Sequence, residues 1–207
     1  MSRDRDPSCK RCRRSGQKLL LKGNRCHTAK CAIEKRNFPP GSNPGARAVK
    51  QTEYGRRLRE KQKLRFFYGV TETQVQNYFD KALKQKGVTG YNLLSSFERR
   101  LDNVVFRMGF AQSRQQARQV VRHRKIFVNS RKIDIPSYLL REGDVVSFVS
   151  PDGVYEKKRL DEVKAESFVG WLSFDLSKKA GRVDRLPERD EIDTPVEEQL
   201  IVEYYSR

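Results

Sequence analysis

The sequence predicts an α+β fold: a helical domain knotted at its N-terminal end, plus an inserted module of two helices and a small antiparallel sheet. Three observations predict it. Apolar residues recur at three- and four-residue steps through the middle of the chain, the spacing of a buried helix face. Short β-rich runs bounded by Asn-Ser and Gly-Asp turns follow. All four cysteines lie near the start, in two close pairs.

The pairs are Cys9 with Cys12 and Cys26 with Cys31, spaced C-x2-C and C-x4-C across a thirteen-residue loop. The N-terminus, MSRDRDPSCKRC, lacks the apolar stretch of a signal peptide, so the protein is expected in the cytoplasm. Cysteines there bind metal more often than each other. Four thiolates can close a tetrahedron around one Zn2+, which makes this end a structural metal knot. They also suit an iron–sulfur cluster, so the spacing leaves the metal open. His27 adjoins Cys26 but reads as a surface residue. Arg11, Arg13, Arg14, Lys18, Lys22 and Arg25 lie around the pairs, and a metal would fold this small segment and present them. Phe38 to Gly45, FPPGSNPG, reads as a linker, which closes a basic segment over residues 1–45.

The helical domain is expected over residues 46–98, joined by 151–207. A basic helix runs from about Glu53 to Tyr68 and carries Arg56, Arg57, Arg59, Lys61, Lys63 and Arg65. Its apolar stripe is loose, and Gly69 ends it. Thr71 with Gln74 makes a capping box for a second helix, in which Val75, Tyr78, Phe79, Ala82 and Leu83 form the buried side as far as Gly87.

The module is placed at 99–150. Leu94, Phe97, Leu101, Val104, Val105 and Met108 share one helix face, and Gly109 stops it. Ser113 with Gln116 is a capping box for the next helix, whose core side is Ala117, Val120 and Val121. Arg114, Arg118 and Arg122 repeat every four residues beside that side. Asp102 reads as a partner for nearby cations, since no second polar group is placed for catalysis. Ile126 to Val128 reads as a strand, Asn129-Ser130 as a turn, and Val145 to Val149 as a strand after Gly143-Asp144. Beyond it, Glu156 to Glu166 reads as a short helix, and Trp171 to Phe174 and Leu200 to Tyr205 as strands. An acidic run spans Glu188, Asp190, Glu191, Asp193, Glu197 and Glu198.

Charge narrows the partners. The chain has 44 Lys and Arg against 26 Asp and Glu, a net of +18 over 207 residues. Residues 1–68 carry +15, residues 69–159 carry +8 and residues 160–207 carry −5. A polyanion should therefore meet the first two thirds. No apolar run is long enough for a membrane span. No phosphate-cradling glycine motif occurs, and there are only two histidines, so an enzyme is not expected. His123 sits with Arg122, Arg124 and Lys125, where it suits RNA contact.

RLDNVVFRMGF, SRQQARQVVRH, IFVN and EGD resemble the RNA-binding module first named in small-subunit ribosomal protein four. YGRRLREKQKLRFFYGV, outside the module, and the terminal PVEEQLIVEYYSR are similar to the same ribosomal family, as is the cysteine set of its metal-binding members. The resemblance implies a structural protein of the small ribosomal subunit that binds its rRNA early in assembly at a junction of several helices. It would line the path by which mRNA enters, beside ribosomal proteins three and five, and support translational accuracy. Some members also repress translation of their own mRNA. Two rival readings are an RNA-modifying enzyme that borrowed the module and a zinc-dependent DNA regulator.

Overall fold

The computed structural model describes residues 6–41, 50–162, 169–175 and 177–206. They form two compact units. One runs to Leu93 and resumes at Thr194; the other runs from Leu94 to Asp193. No described helix is long and apolar enough to cross a membrane.

In the first unit, α1 (Ser8–Ser15) closes on Gly16, which takes φ 68. A 3-10 turn (Gly23–His27) and α2 (Ala32–Lys35) follow. Leu19, Leu21 and Cys12 are buried between them and give this segment a small core. The second half of the expected linker lies outside the described residues. α3 (Glu53–Tyr68) starts at Thr52, whose hydroxyl accepts from Gly55 N at 3.1 Å, and stops at Gly69 with φ 64. α4 (Glu72–Leu83) has the expected box, with Thr71 N donating to Gln74 Oε1 at 3.2 Å. Val75, Tyr78, Phe79 and Ala82 are buried as expected, but Leu83, at the helix end, is exposed.

The expected strand at Leu200 to Tyr205 is instead helix α9 (Glu198–Tyr205). Its residues favour strands individually, yet Ile201, Tyr204 and Tyr205 also fall on one helix face. That face packs on α3 and α4: Ile201 is buried, Tyr204 lies 5.8 Å from Tyr54 between ring centroids, and Tyr205 stacks on Phe79 at 4.8 Å. Glu198 in the first turn also suits the positive end of the helix. Packing has overruled local preference.

α5 (Thr89–Glu98) carries the chain from one unit into the next. The single helix expected from Leu94 to Met108 is broken, and α6 (Leu101–Arg107) is a separate element. Arg100 is extended, with φ −64 and ψ 137. Around it Leu101 N donates to Tyr138 O at 2.8 Å and Leu140 N to Arg99 O at 2.9 Å. A strand-like pairing thus interrupts the helix, while the apolar face continues through the break. Gly109 ends α6 with φ 70. α7 (Arg114–Arg122) begins at Ser113, whose hydroxyl accepts from Gln116 N at 3.3 Å. Only half of the expected box forms there, because Gln116 Oε1 accepts from Gln112 N instead, at 2.9 Å.

The sheet has strands β1 (Ile126–Val128), β2 (Arg131–Lys132), β3 (Val145–Phe148), β4 (Leu172–Asp175) and β5 (Ala180–Val183). Their order is β2-β1-β3-β5-β4, antiparallel throughout. Asn129 and Ser130 turn the first hairpin with φ 48 and 66, the two positive values a tight two-residue hairpin needs. Asn129 then clamps the next turn: it donates to Asp144 Oδ1 at 2.7 Å and accepts from Val145 N at 2.9 Å. α8 (Val154–Glu162) covers most of the expected Glu156 to Glu166 helix, and the remainder lies outside the described residues.

α6 and α7 pack on the sheet around Leu101, Val104, Val105, Met108, Ala117, Val121, Ile126, Val146 and Trp171. A Cβ on Gly181 would lie 2.7 Å from Met108 Cε, so the Met108 side chain, just past α6, packs directly on the bare backbone of β5. This core corrects the expected division of the chain. Of residues 151–207, only Thr194 onward joins the helical unit. The segment before it completes the module, because β5 pairs with β3 and hides an edge that would otherwise be exposed, and Trp171, Leu172 and Val183 enter the module core.

Candidate nucleic-acid interface

In the N-terminal segment Cys9, Cys12, Cys26 and Cys31 line one cavity with Leu21 and Ile33. Burial pushes the Cys12 thiol up, a hydrogen bond from the Leu19 backbone opposes this, and the three other cysteines add to the rise. Lys22 N donates to Cys26 Sγ at 3.4 Å. The donor set and shared cavity fit a thiophilic metal. Among the described residues, however, no group of three or more His, Cys, Asp or Glu side chains stands close enough together to hold one. Arg14, Lys22 and Arg25 are exposed, as is Lys18, which pairs with Glu34. Arg13 instead donates to Phe38 O at 2.9 Å and lies over the Phe38 ring. Arg11 is buried against the Phe66 ring, with its carbon 4.9 Å from the centroid, so burial and Arg65 hold its pKa below the usual guanidinium value despite Cys12.

α3 presents fewer cations than its sequence suggests. Arg56 and Arg59 are exposed. Lys61 and Lys63 are buried. Lys61 donates to Glu72 at 2.7 Å and lies 4.6 Å from the Tyr204 ring centroid. Lys63 donates to Glu60 at 2.6 Å. Arg57 pairs with Glu203 at 2.6 Å, and Arg65 with Glu72 at 3.7 Å. These long side chains pack their stems and neutralise their heads within the unit. Of the six cations on α3, Arg56 and Arg59 are the two left exposed.

The module sorts its arginines the same way. Arg118 is buried, with Nη1 3.3 Å from Asp102 Oδ2. The same carboxylate takes Arg100 at 3.0 and 2.7 Å. Arg114 donates to Asn103 Oδ1 at 2.8 Å and lies over the Phe106 ring. Asp102 is thus the ion partner expected, though it sits near the start of α6 rather than in mid-helix. Arg122, His123 and Arg124 remain exposed at the end of α7, and Lys125 is half-buried beside Glu156 at 2.7 Å. Arg124 takes φ 57, which turns the chain into β1, and donates to Asp134 at 3.0 Å. Arg131 and Lys132 on β2 add two exposed cations that the sequence reading missed. Their signal was available: a two-residue turn directly precedes them, and charged residues belong on an edge strand.

The acidic run is largely engaged within its own units. Glu191 pairs with Arg185 at 2.6 Å, Glu197 with Arg56 at 3.5 Å, and Asp193 with Arg107, whose guanidinium also holds Glu98 at 3.1 Å. Asp190 stays exposed.

An exposed cationic group on a rigid helix-and-sheet scaffold suits RNA phosphates and 2′-hydroxyls, because A-form RNA keeps its major-groove base edges out of reach. Comparison with known proteins agrees. Residues 3–98 match the family described as "Ribosomal protein S4/S9 N-terminal domain", and residues 99–146 match the "S4 domain". The chain is 56% identical to the small ribosomal subunit protein uS4A of Symbiobacterium thermophilum, over the full length of both. It is 54% identical to uS4 of Halothermothrix orenii and 48% identical to uS4 of Thermus thermophilus, again over both full lengths. The chain therefore belongs to the uS4 family of small ribosomal subunit proteins.

Proposed function

We propose that this chain is a primary rRNA-binding protein of the small subunit, which docks at a junction of several RNA helices and nucleates assembly there. As a uS4 family member it is a ribosomal protein with an RNA-binding S4 domain, not an enzyme, and it acts in the cytoplasm. The observation that supports the docking role is the exposed group Arg122, His123 and Arg124, with Arg131 and Lys132 on the neighbouring hairpin. The family resemblance supports the finer reading: a place beside ribosomal proteins three and five, a wall of the path by which mRNA enters, support of translational accuracy, and repression of its own mRNA. A basic neighbour would meet Asp190 more readily than the acids already paired within the chain.

The same reading gives the four cysteines one metal centre, Zn2+ or an iron–sulfur cluster. Their all-thiolate donor set and shared cavity support it. Bound there, the metal would cross-link two ends of a segment too small for a large core. The test of the docking role is co-sedimentation of the protein with small subunits after a high-salt wash, alongside binding to isolated small-subunit rRNA. Retention in both is expected; release in both overturns the reading.

A further inference from the structure

The expected arginine stripe is not the only ordered stripe on α7. Gln116, Gln119, Val120 and His123 are spaced by three, one and three residues, so they lie along one face of the helix. Together with Lys125 and Tyr155 they line a cleft between α7, the start of β1 and α8. Its chemistry is mixed in an informative way. Val120 is an apolar floor and Tyr155 an aromatic wall. Gln116 has committed its oxygen to Gln112 N, which leaves its NH2 to donate. Gln119 is exposed, with its whole amide available. The Tyr155 ring is fixed because its hydroxyl donates to Phe110 O at 3.0 Å. The Lys125 ammonium lies 5.7 Å from the ring centroid, and His123 in the lining is exposed, as are its chain neighbours Arg122 and Arg124.

We infer that this cleft takes one unpaired nucleobase of the bound RNA: the base lies against the Tyr155 ring, its edge meets the Gln116 and Gln119 amides, and its phosphate lies towards Lys125. The inference rests on the rRNA-binding reading and refines it. Paired bases in an A-form helix offer no free face, whereas a junction leaves single nucleotides unstacked, and proteins hold such bases by aromatic stacking and amide hydrogen bonds. An amide side chain can pair with a base edge through two hydrogen bonds at once. A surface made only for phosphates would have no use for a fixed ring and two amides.

The contact is non-ionic, which separates it from the phosphate contacts around it. The test uses the full-length protein and intact small-subunit rRNA, with affinity measured across a range of salt. Gln119→Ala and Tyr155→Leu should each weaken binding roughly tenfold at fixed salt. The slope of log affinity against log salt should not change. Tyr155→Phe, which keeps the ring but loses the hydroxyl that fixes it, should bind more weakly than the parent and more tightly than Tyr155→Leu. Thermal unfolding of each variant controls for folding. Ultraviolet cross-linking of the parent complex should attach a nucleotide to a peptide containing Tyr155 or Gln119. Unchanged affinity in folded variants, or cross-links confined to other peptides, would overturn the cleft while leaving rRNA binding intact. Failure of the parent protein to bind the rRNA would overturn both.

Discussion

Arg118 turns its guanidinium inward to Asp102, 3.3 Å away, and not outward to a ligand. Asp102 is 7% exposed and Arg118 is 8% exposed in their side chains, and Arg100, fully buried, shares the same carboxylate. Burial is the main cause that pulls the Arg118 pKa below the usual guanidinium value; Asp102 opposes it, and Arg100 and Arg122 reinforce it. The first prediction follows. Asp102→Ala takes a shared carboxylate away from two buried cations, so it should destabilise the module by roughly 3–5 kcal/mol. Arg118→Ala leaves Asp102 with Arg100 and should cost less. Urea unfolding of both variants checks the order; an Arg118→Ala protein of unchanged stability but weakened RNA affinity would contradict it.

Arg122, Arg131 and Lys132 should behave in the opposite way. They are exposed, so replacing each with alanine should leave stability within about 0.5 kcal/mol. If each meets one phosphate, the salt slope of rRNA binding should fall in magnitude by roughly 0.7–0.9 per substitution. Binding titrations from low to moderate salt read this directly.

Asp193 supplies a pH dependence. Its hydrogen bond with Arg107 is the largest cause that holds its carboxyl below the usual aspartate value of 3.8, against the cost of burial and with further help from Arg107 and Arg114 charge. A carboxyl lowered in the folded state contributes stability above its unfolded pKa and loses it as pH falls through the folded one. The contribution should therefore be intact at pH 6 and fade below 3.8. Asp193→Asn should lower the urea midpoint at pH 6 and narrow its gap to the parent at pH 3. An equal gap at both pH values would show that the carboxylate charge contributes nothing.

Gly181 tests the fit of helix on sheet. Gly181→Ala puts a methyl group 2.7 Å from Met108 Cε in a fully buried site, and overpacking of this kind costs about 1–3 kcal/mol. The melting temperature should drop. An unchanged value would mean that Met108 has room to move aside.

The cysteine segment gives the last prediction. Purified protein should carry one equivalent of zinc or an iron–sulfur cluster by elemental analysis. Cys12→Ser or Cys31→Ser should lose it and expose the segment around α1 and α2 to protease. The module, which has a separate core, should stay folded. Metal-free protein with an ordered N-terminal segment would remove the metal from the reading.

The parts legible in advance were those whose partners lie a few residues away. The sequence by itself determined the stops at Gly69 and Gly109, the caps at Thr71 and Ser113, and the Asn129-Ser130 hairpin, because each satisfies backbone groups within three or four positions. It also determined the RNA-binding class, through net charge and long ordered motifs. It could not say which cations face outward. Lys61 finds its carboxylate eleven residues on, in another helix, and Arg118 finds Asp102 sixteen residues back. Charge and spacing are identical for a solvated arginine and one buried on an aspartate, so only packing separates them. The tertiary structure also decided that LIVEYY is a helix, since the α3 and α4 surface offers one apolar face, and that the chain around Trp171 closes the module's sheet. Each of those outcomes depends on surfaces assembled from residues far apart in the chain, which no local pattern contains.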